Sequence, residues 1–151
     1  MSQENQFCTF YLDGHFFGVE VSKVQEVIRY QKMSRVALAS EVVSGLINLR
    51  GQIVTAIDLR RRLDLPPRAD DRLPMNVIIN TDDGPVSLLV DEIGDVIEVG
   101  SEQFERPPET LRGTARQMIR GTYKLPDKLL LFLDVEKAVT LPAAGNAVSG
   151  R

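Results

Sequence analysis

Few side chains in this chain of 151 residues are of types that could do chemistry. His15, the single histidine, lies in Asp13-Gly14-His15, and Cys8, the single cysteine, lies in Phe7-Cys8-Thr9. Paired carboxylates stand at Asp82-Asp83 and Asp91-Glu92. An imidazole offers an acid, a base or a metal ligand, a thiol offers a nucleophile, and carboxylates offer acid–base work or hard-cation binding. The settings argue otherwise. His15 reads as a turn residue, and Cys8 as a small buried hydrophobe in a strand. One His and one Cys cannot assemble a common zinc site. Asp82-Asp83-Gly84 is turn chemistry, neither acidic pair has the spacing of a metal loop, and no glycine-rich phosphate loop is present. The reading is therefore no enzyme, no metal and no cofactor. Binding through a surface is left.

The elements that would position such a surface are short strands. Residues 44–63, SGLINLRGQIVTAIDLRRRL, carry two apolar runs, 46–49 and 53–57, around Arg50-Gly51-Gln52. That pattern predicts a tight hairpin, with Gly51 supplying the positive φ of a type II or primed turn and Arg50 carried outward. Asp58 is a good N-cap for a helical turn over 59–63, whose three arginines are expected on its solvated side. Earlier, runs at 7–11 and 16–21 flank Asp13-Gly14, a further strand covers 24–30, and Ser40 to Ser44 reads as a helical turn stopped by Gly45. Later, runs at 76–80 and 86–90 flank Asp82-Asp83-Gly84, a strand covers 93–99, and a last hairpin joins 118–123 to 129–133 before Asp134 caps 135–139. About ten strands with almost no helix predict an all-β barrel or sandwich architecture.

The order of elements repeats. Sliding the chain by 76 places sets Gly45 on Gly121, Leu49 on Leu125, Ile53 on Leu129, Ile57 on Leu133 and Asp58 on Asp134. A shift of 69 sets Val19, Val21, Val24, Glu26, Val27 and Ile28 on Leu88, Val90, Ile93, Asp95, Val96 and Ile97. Two similar halves joined at Pro66-Pro67 follow, with approximate subdomains at 7–69 and 70–140 and a tail over 141–151, rich in Gly, Ala and Ser, expected to be disordered.

Composition sets the remaining bounds. A net charge of −3 and a pI near 5.2, with no tryptophan, speak against a nucleic-acid partner. The first residues lack a signal-peptide pattern and no apolar run could span a bilayer, so the expected compartment is the cytoplasm, without direct membrane insertion.

Three groups of words carry a resemblance: Phe17-Gly18-Val19-Glu20-Val21 with Lys23-Val24-Gln25-Glu26-Val27; Gly45-Leu46-Ile47-Asn48-Leu49-Arg50-Gly51-Gln52-Ile53-Val54 with Ile57-Asp58-Leu59-Arg60; and Leu89-Val90-Asp91-Glu92-Ile93-Gly94-Asp95-Val96. From about Phe7 to about Val139 the chain resembles the CheW coupling-protein family of bacterial chemotaxis. The resemblance implies two interleaved, five-stranded, SH3-like β-barrels in one CheW-like domain. It also implies a non-catalytic adaptor between the cytoplasmic tip of methyl-accepting chemotaxis receptors and the regulatory domain of a CheA-like histidine kinase, with other CheW copies as ring partners. The positions matching the family's receptor-facing residues are Val24, Glu26, Arg50 and Val96; no kinase-facing residue is assigned. Two departures stand out: Thr55-Ala56 where many members carry a proline, and Arg29 where a smaller residue is common. Relatives also serve pili, gliding and surface sensing, and a coupler of such a pathway is the alternative.

Overall fold

The computed structural model describes residues 5–36, 40–69, 71–108 and 113–140. The expected tail over 141–151 lies outside them. Among the described residues are eleven strands and three short helices: β1 (Gln6–Leu12), β2 (His15–Glu20), β3 (Val24–Ile28), β4 (Val43–Leu49), β5 (Gln52–Asp58), α1 (Leu59–Arg62), β6 (Met75–Thr81), β7 (Gly84–Val90), β8 (Glu92–Glu98), β9 (Phe104–Glu105), α2 (Gly113–Met118), β10 (Ile119–Lys124), β11 (Leu129–Leu133) and α3 (Val135–Val139). The fold is mostly β, as expected. No described helix is long and apolar enough to cross a membrane.

The strands form a six-stranded sheet, ordered β8-β1-β2-β11-β10-β9, and a five-stranded sheet, ordered β3-β6-β7-β5-β4. Neither closes as a continuous barrel, but each curls toward closure in the same way. The chain after β3 returns to bridge Ser34 to Leu46 of β4, and the chain after β8 returns as β9 against β10. Translated through the repeat, the two orders are the same order. Each sheet takes its first hairpin from one side of Pro66-Pro67 and the rest from the other, so a division at 69/70 does not separate the sheets. β1–β2 pairs with strands of the second half, and β6–β7 with strands of the first.

The equivalence extends to register. The parallel pairs Thr55↔Val86 and Leu131↔Phe17 are repeat counterparts, and so are Val24↔Ile79 and Ile93↔Phe10. Both hairpins β4–β5 and β10–β11 slip register at the same place, between Val43 and Gly45 and between Ile119 and Gly121. There the repeated glycine leaves room for the closing segment. A Cβ on Gly45 would lie 2.6 Å from the Ser34 carbonyl oxygen, and one on Gly121 would run into the Phe104 ring. The caps repeat too: Asp58 accepts from the Arg61 amide at 3.3 Å and Asp134 from the Lys137 amide at 3.1 Å.

The largest core cluster joins the sheets and includes Phe10, Phe17, Val19, Ile57, Leu59, Val77, Ile79, Leu88, Leu131 and Leu133. Full burial of each such side chain stabilises by roughly 1.5–3 kcal/mol, which is why alternation along these strands is enforced.

Two local readings are corrected. Residues 40–44 are not a helical turn: a tight turn closes between the Val43 amide and the Ser40 carbonyl at 3.0 Å, and β4 then runs through Gly45. The helix Gly113–Met118 had no counterpart in the strand reading, although Ala115, Arg116, Gln117 and Met118 are all good helix formers.

Candidate functional site

The exposed tip of the β4–β5 hairpin is a turn in which both central residues are left-handed, Arg50 at φ 52° and Gly51 at φ 87°. That is the primed type I geometry, whose twist matches a two-residue hairpin. The Gly51 amide donates to Oδ1 of Asn48 at 2.9 Å, fastening the turn from outside the ladder. From here the Arg50 guanidinium donates to the carboxylate of Glu26, forming an ion pair between the hairpin and β3.

Glu26 reaches this position because β3 is irregular. Its register against β6 slips between Val24 and Glu26, so Glu26 faces Ile78 instead of continuing the regular count. The Gln25 amide also donates to Glu26, at 3.3 Å. Hydrogen bonds from Arg50 and then Gln25 hold the Glu26 carboxyl below its ordinary range, outweighing the small opposing effect of burial. Arg50 remains 65% exposed and Glu26 26% exposed. A guanidinium has five donors, so this arginine keeps most of its hydrogen-bonding capacity for a partner.

The structure thus brings two of the four expected residues, Glu26 and Arg50, into direct contact. The other two stand on the terminal strands of different sheets. Val24, on β3, is partly buried and packs against the main core. Val96, on β8 opposite Cys8, is 59% exposed. Two surface hollows of about 530 Å³ each, one under Arg62 and one beside Lys128, include neither Glu26 nor Arg50 in their walls.

Sequence reasoning passed over Ile53. It sits opposite Asn48 in the hairpin and is 60% exposed, while its neighbours Val54 and Ala56 are fully buried. The signal was the strand phase, since Val54 and Ala56 must face one side and Ile53 the other. Val27, 38% exposed on β3, is a further apolar residue near Glu26 in the chain. Thr55 and Ala56 pair without interruption with β4 and, on the other side, with β7. Arg29 points outward, while its carbonyl accepts from the Asn76 amide at 3.0 Å, and Asn76 in turn accepts from Ser87.

Another arginine cluster departs from expectation. Arg60 and Arg62 do not lie on a solvated face. Arg60 donates through Nε to Asp91 Oδ1 at 2.9 Å and through Nη1 to the Pro66 carbonyl at 2.8 Å. Arg68 joins the same carboxylate at 3.0 Å, and the Asp13 amide donates to its other oxygen at 2.8 Å. Asp91 is therefore engaged by two arginines and a backbone amide. Burial pushes its carboxyl up, but the Arg60 hydrogen bond, the Asp13 amide and the charges of Arg68 and Arg60 outweigh this and hold it low. Arg62 crosses to α3 and donates to the carbonyls of Lys137, Ala138 and Thr140 at 2.8, 3.0 and 2.8 Å. Such a cation at a helix C-terminus complements both the free carbonyls and the dipole. Only Arg61 behaves as a surface arginine, paired with exposed Glu41.

Comparison with known proteins bears on the family and the fold. A family model described as a CheW-like domain matches residues 6–142. The chain is 31% identical over 139 residues to a chemotaxis protein CheW of Bacillus subtilis, covering 92% of this chain and 89% of that one. It is 30% identical over 135 residues to a chemotaxis protein CheW of Klebsiella aerogenes, covering 89% and 81% respectively. The crystal structure of the scaffolding protein TtCheW from Thermoanaerobacter tengcongensis superposes with a TM-score of 0.81 over 91% of this chain and 94% of that chain, at 23% identity, a likeness of fold.

Proposed function

The chain belongs to the CheW-like domain family, and from that membership we propose that it is a non-catalytic adaptor coupling methyl-accepting chemotaxis receptors to a CheA-like histidine kinase. The observation that carries the reading is the exposed hairpin tip, where Arg50 is held against Glu26 within a chain whose full fold is that of the family. In this reading the cytoplasmic tip of a receptor, a helical hairpin, lies against Val24, Glu26, Arg50 and Val96. Arg50 then exchanges or shares its carboxylate partner with the receptor helix, and the exposed Val96 supplies apolar contact. The kinase's regulatory domain, and other copies of the adaptor in rings, engage further surfaces. The adaptor works in the cytoplasm and reaches membrane arrays through its partners.

The test is a calorimetric titration of the chain with a soluble receptor cytoplasmic fragment, with the regulatory domain of a CheA-like kinase from the same organism, and with both together. The proposal requires binding to each alone and a complex of all three. Two partners that displace each other, or a folded chain that binds neither, would sink it.

A further inference from the structure

We infer that Asn48 is a positioning residue of the coupling site, holding Arg50 in the left-handed conformation from which its guanidinium reaches Glu26; only the receptor arm of this inference rests on the function proposed above. A left-handed backbone is disfavoured for any residue with a Cβ, and among those residues Asn and Asp tolerate it best. The β1–β2 turn follows that rule, with Asp13 at φ 51° before Gly14 at φ 79°. The β4–β5 turn does not, because an arginine occupies the first left-handed position. A side chain that closes the same turn from outside can offset that preference, and Asn48 Oδ1 does so by accepting from the Gly51 amide at 2.9 Å.

The other half of the molecule provides the control. The repeat counterpart of Asn48 is Lys124, which has no acceptor, and the counterpart turn carries Pro126-Asp127, neither of which is left-handed. The acceptor side chain thus occurs in the half that must hold an arginine at its tip and not in the half that need not. Asn48 itself is exposed and outside the core clusters, so its removal does not open a cavity.

The test uses the full chain with Asn48→Ala, Asn48→Asp, which keeps an oxygen acceptor, and Arg50→Ala. The readouts are the Glu26 titration followed by NMR, the unfolding midpoint, and binding of a receptor cytoplasmic fragment. In the wild type Glu26 should titrate below the ordinary carboxylate range, because Arg50 and Gln25 donate to its carboxylate. Asn48→Ala should raise its midpoint toward that of Arg50→Ala, and Asn48→Asp should keep it low. Receptor affinity should follow the same order, with Asn48→Ala adding no further loss to Arg50→Ala. A lowered unfolding midpoint with no movement of Glu26 would make Asn48 a merely structural residue and overturn the inference. If the wild type fails to bind the receptor fragment, the coupling proposal falls while the Glu26 titration still decides the role of Asn48.

Discussion

Two joints of the molecule occupy equivalent places in the repeat and are built with opposite materials. At one, Arg60 of α1 meets Asp91 between β7 and β8, with side chains 11% and 6% exposed. At the other, Glu136 of α3 takes the place of Arg60, and Lys23, one residue past the counterpart of Asp91, pairs with it at 3.3 Å. There Lys23 is 33% exposed and Glu136 81%. The first joint gathers a second arginine and a turn amide around one carboxylate, while Arg60 also donates to two proline carbonyls. At the second joint the described residues leave a hollow of about 380 Å³ between Lys23, Glu136 and the Asp82-Asp83 turn. Equivalent topology does not impose equivalent electrostatics, and burial decides which pair holds the fold.

The largest effect should come from breaking the buried joint. Asp91→Ala leaves Arg68 without its counter-charge and Arg60 with only the more distant Asp13 carboxylate at 3.9 Å, and removing one partner of a buried pair costs about 3–5 kcal/mol. Urea unfolding should show a loss of that order, and a loss as small as that of a surface pair would mean that the cluster is hydrated and not structural.

The same joint should set an acid dependence. Because the folded Asp91 carboxyl is held below its ordinary range, its stabilisation is complete above the unfolded value near about 3.9 and disappears as pH falls through the lower folded value. Wild type should therefore lose stability in that acid window. Asp91→Asn should show a flatter profile there.

An intermediate effect is expected at Arg62, which spans the two short helices. Arg62→Ala removes three hydrogen bonds, two to α3 carbonyls and one to that of Thr140 just after it, that water can partly replace, so the cost should be about 1–2 kcal/mol. Amide exchange should quicken in α3 before it quickens in β5. Uniform acceleration across both sheets would contradict a local cap. The smallest effect belongs to the exposed joint: Glu136→Ala should change stability by no more than about 0.5 kcal/mol in a denaturant titration. A loss approaching that of Asp91→Ala would show the two joints to be equivalent after all.

Residue patterns made the repeat readable because its markers have local meaning. Asp58 and Asp134 cap helices, Gly45 and Gly121 admit a crossing segment, and the apolar runs alternate. The exchange of hairpins between halves was implied only by the family resemblance and not by residue patterns, since the pairing of β5 with β7 and of β11 with β2 depends on contacts remote in sequence. Arg50 could be assigned to an exposed turn from its glycine neighbour, but its pairing with Glu26 depends on the β3 irregularity. The run Arg60-Arg61-Arg62 misled for the same reason. A charge run is normally solvated, and only the arrival of Asp91 and of the α3 carbonyls turns two of its members inward. Val24 reads as apolar whichever way it faces, and burial alone distinguishes its place against the core from that of Val96 in solvent.

The most direct measurement is a paired one on Arg50→Ala, its unfolding midpoint and its affinity for a receptor cytoplasmic fragment in the same buffer. The exposed pair with Glu26 should leave the midpoint unchanged, while loss of an interfacial arginine should weaken receptor binding by about tenfold or more. An unchanged affinity, or a midpoint that falls as far as it does in Asp91→Ala, would contradict the assignment of this hairpin tip to binding and of the buried joint to the fold.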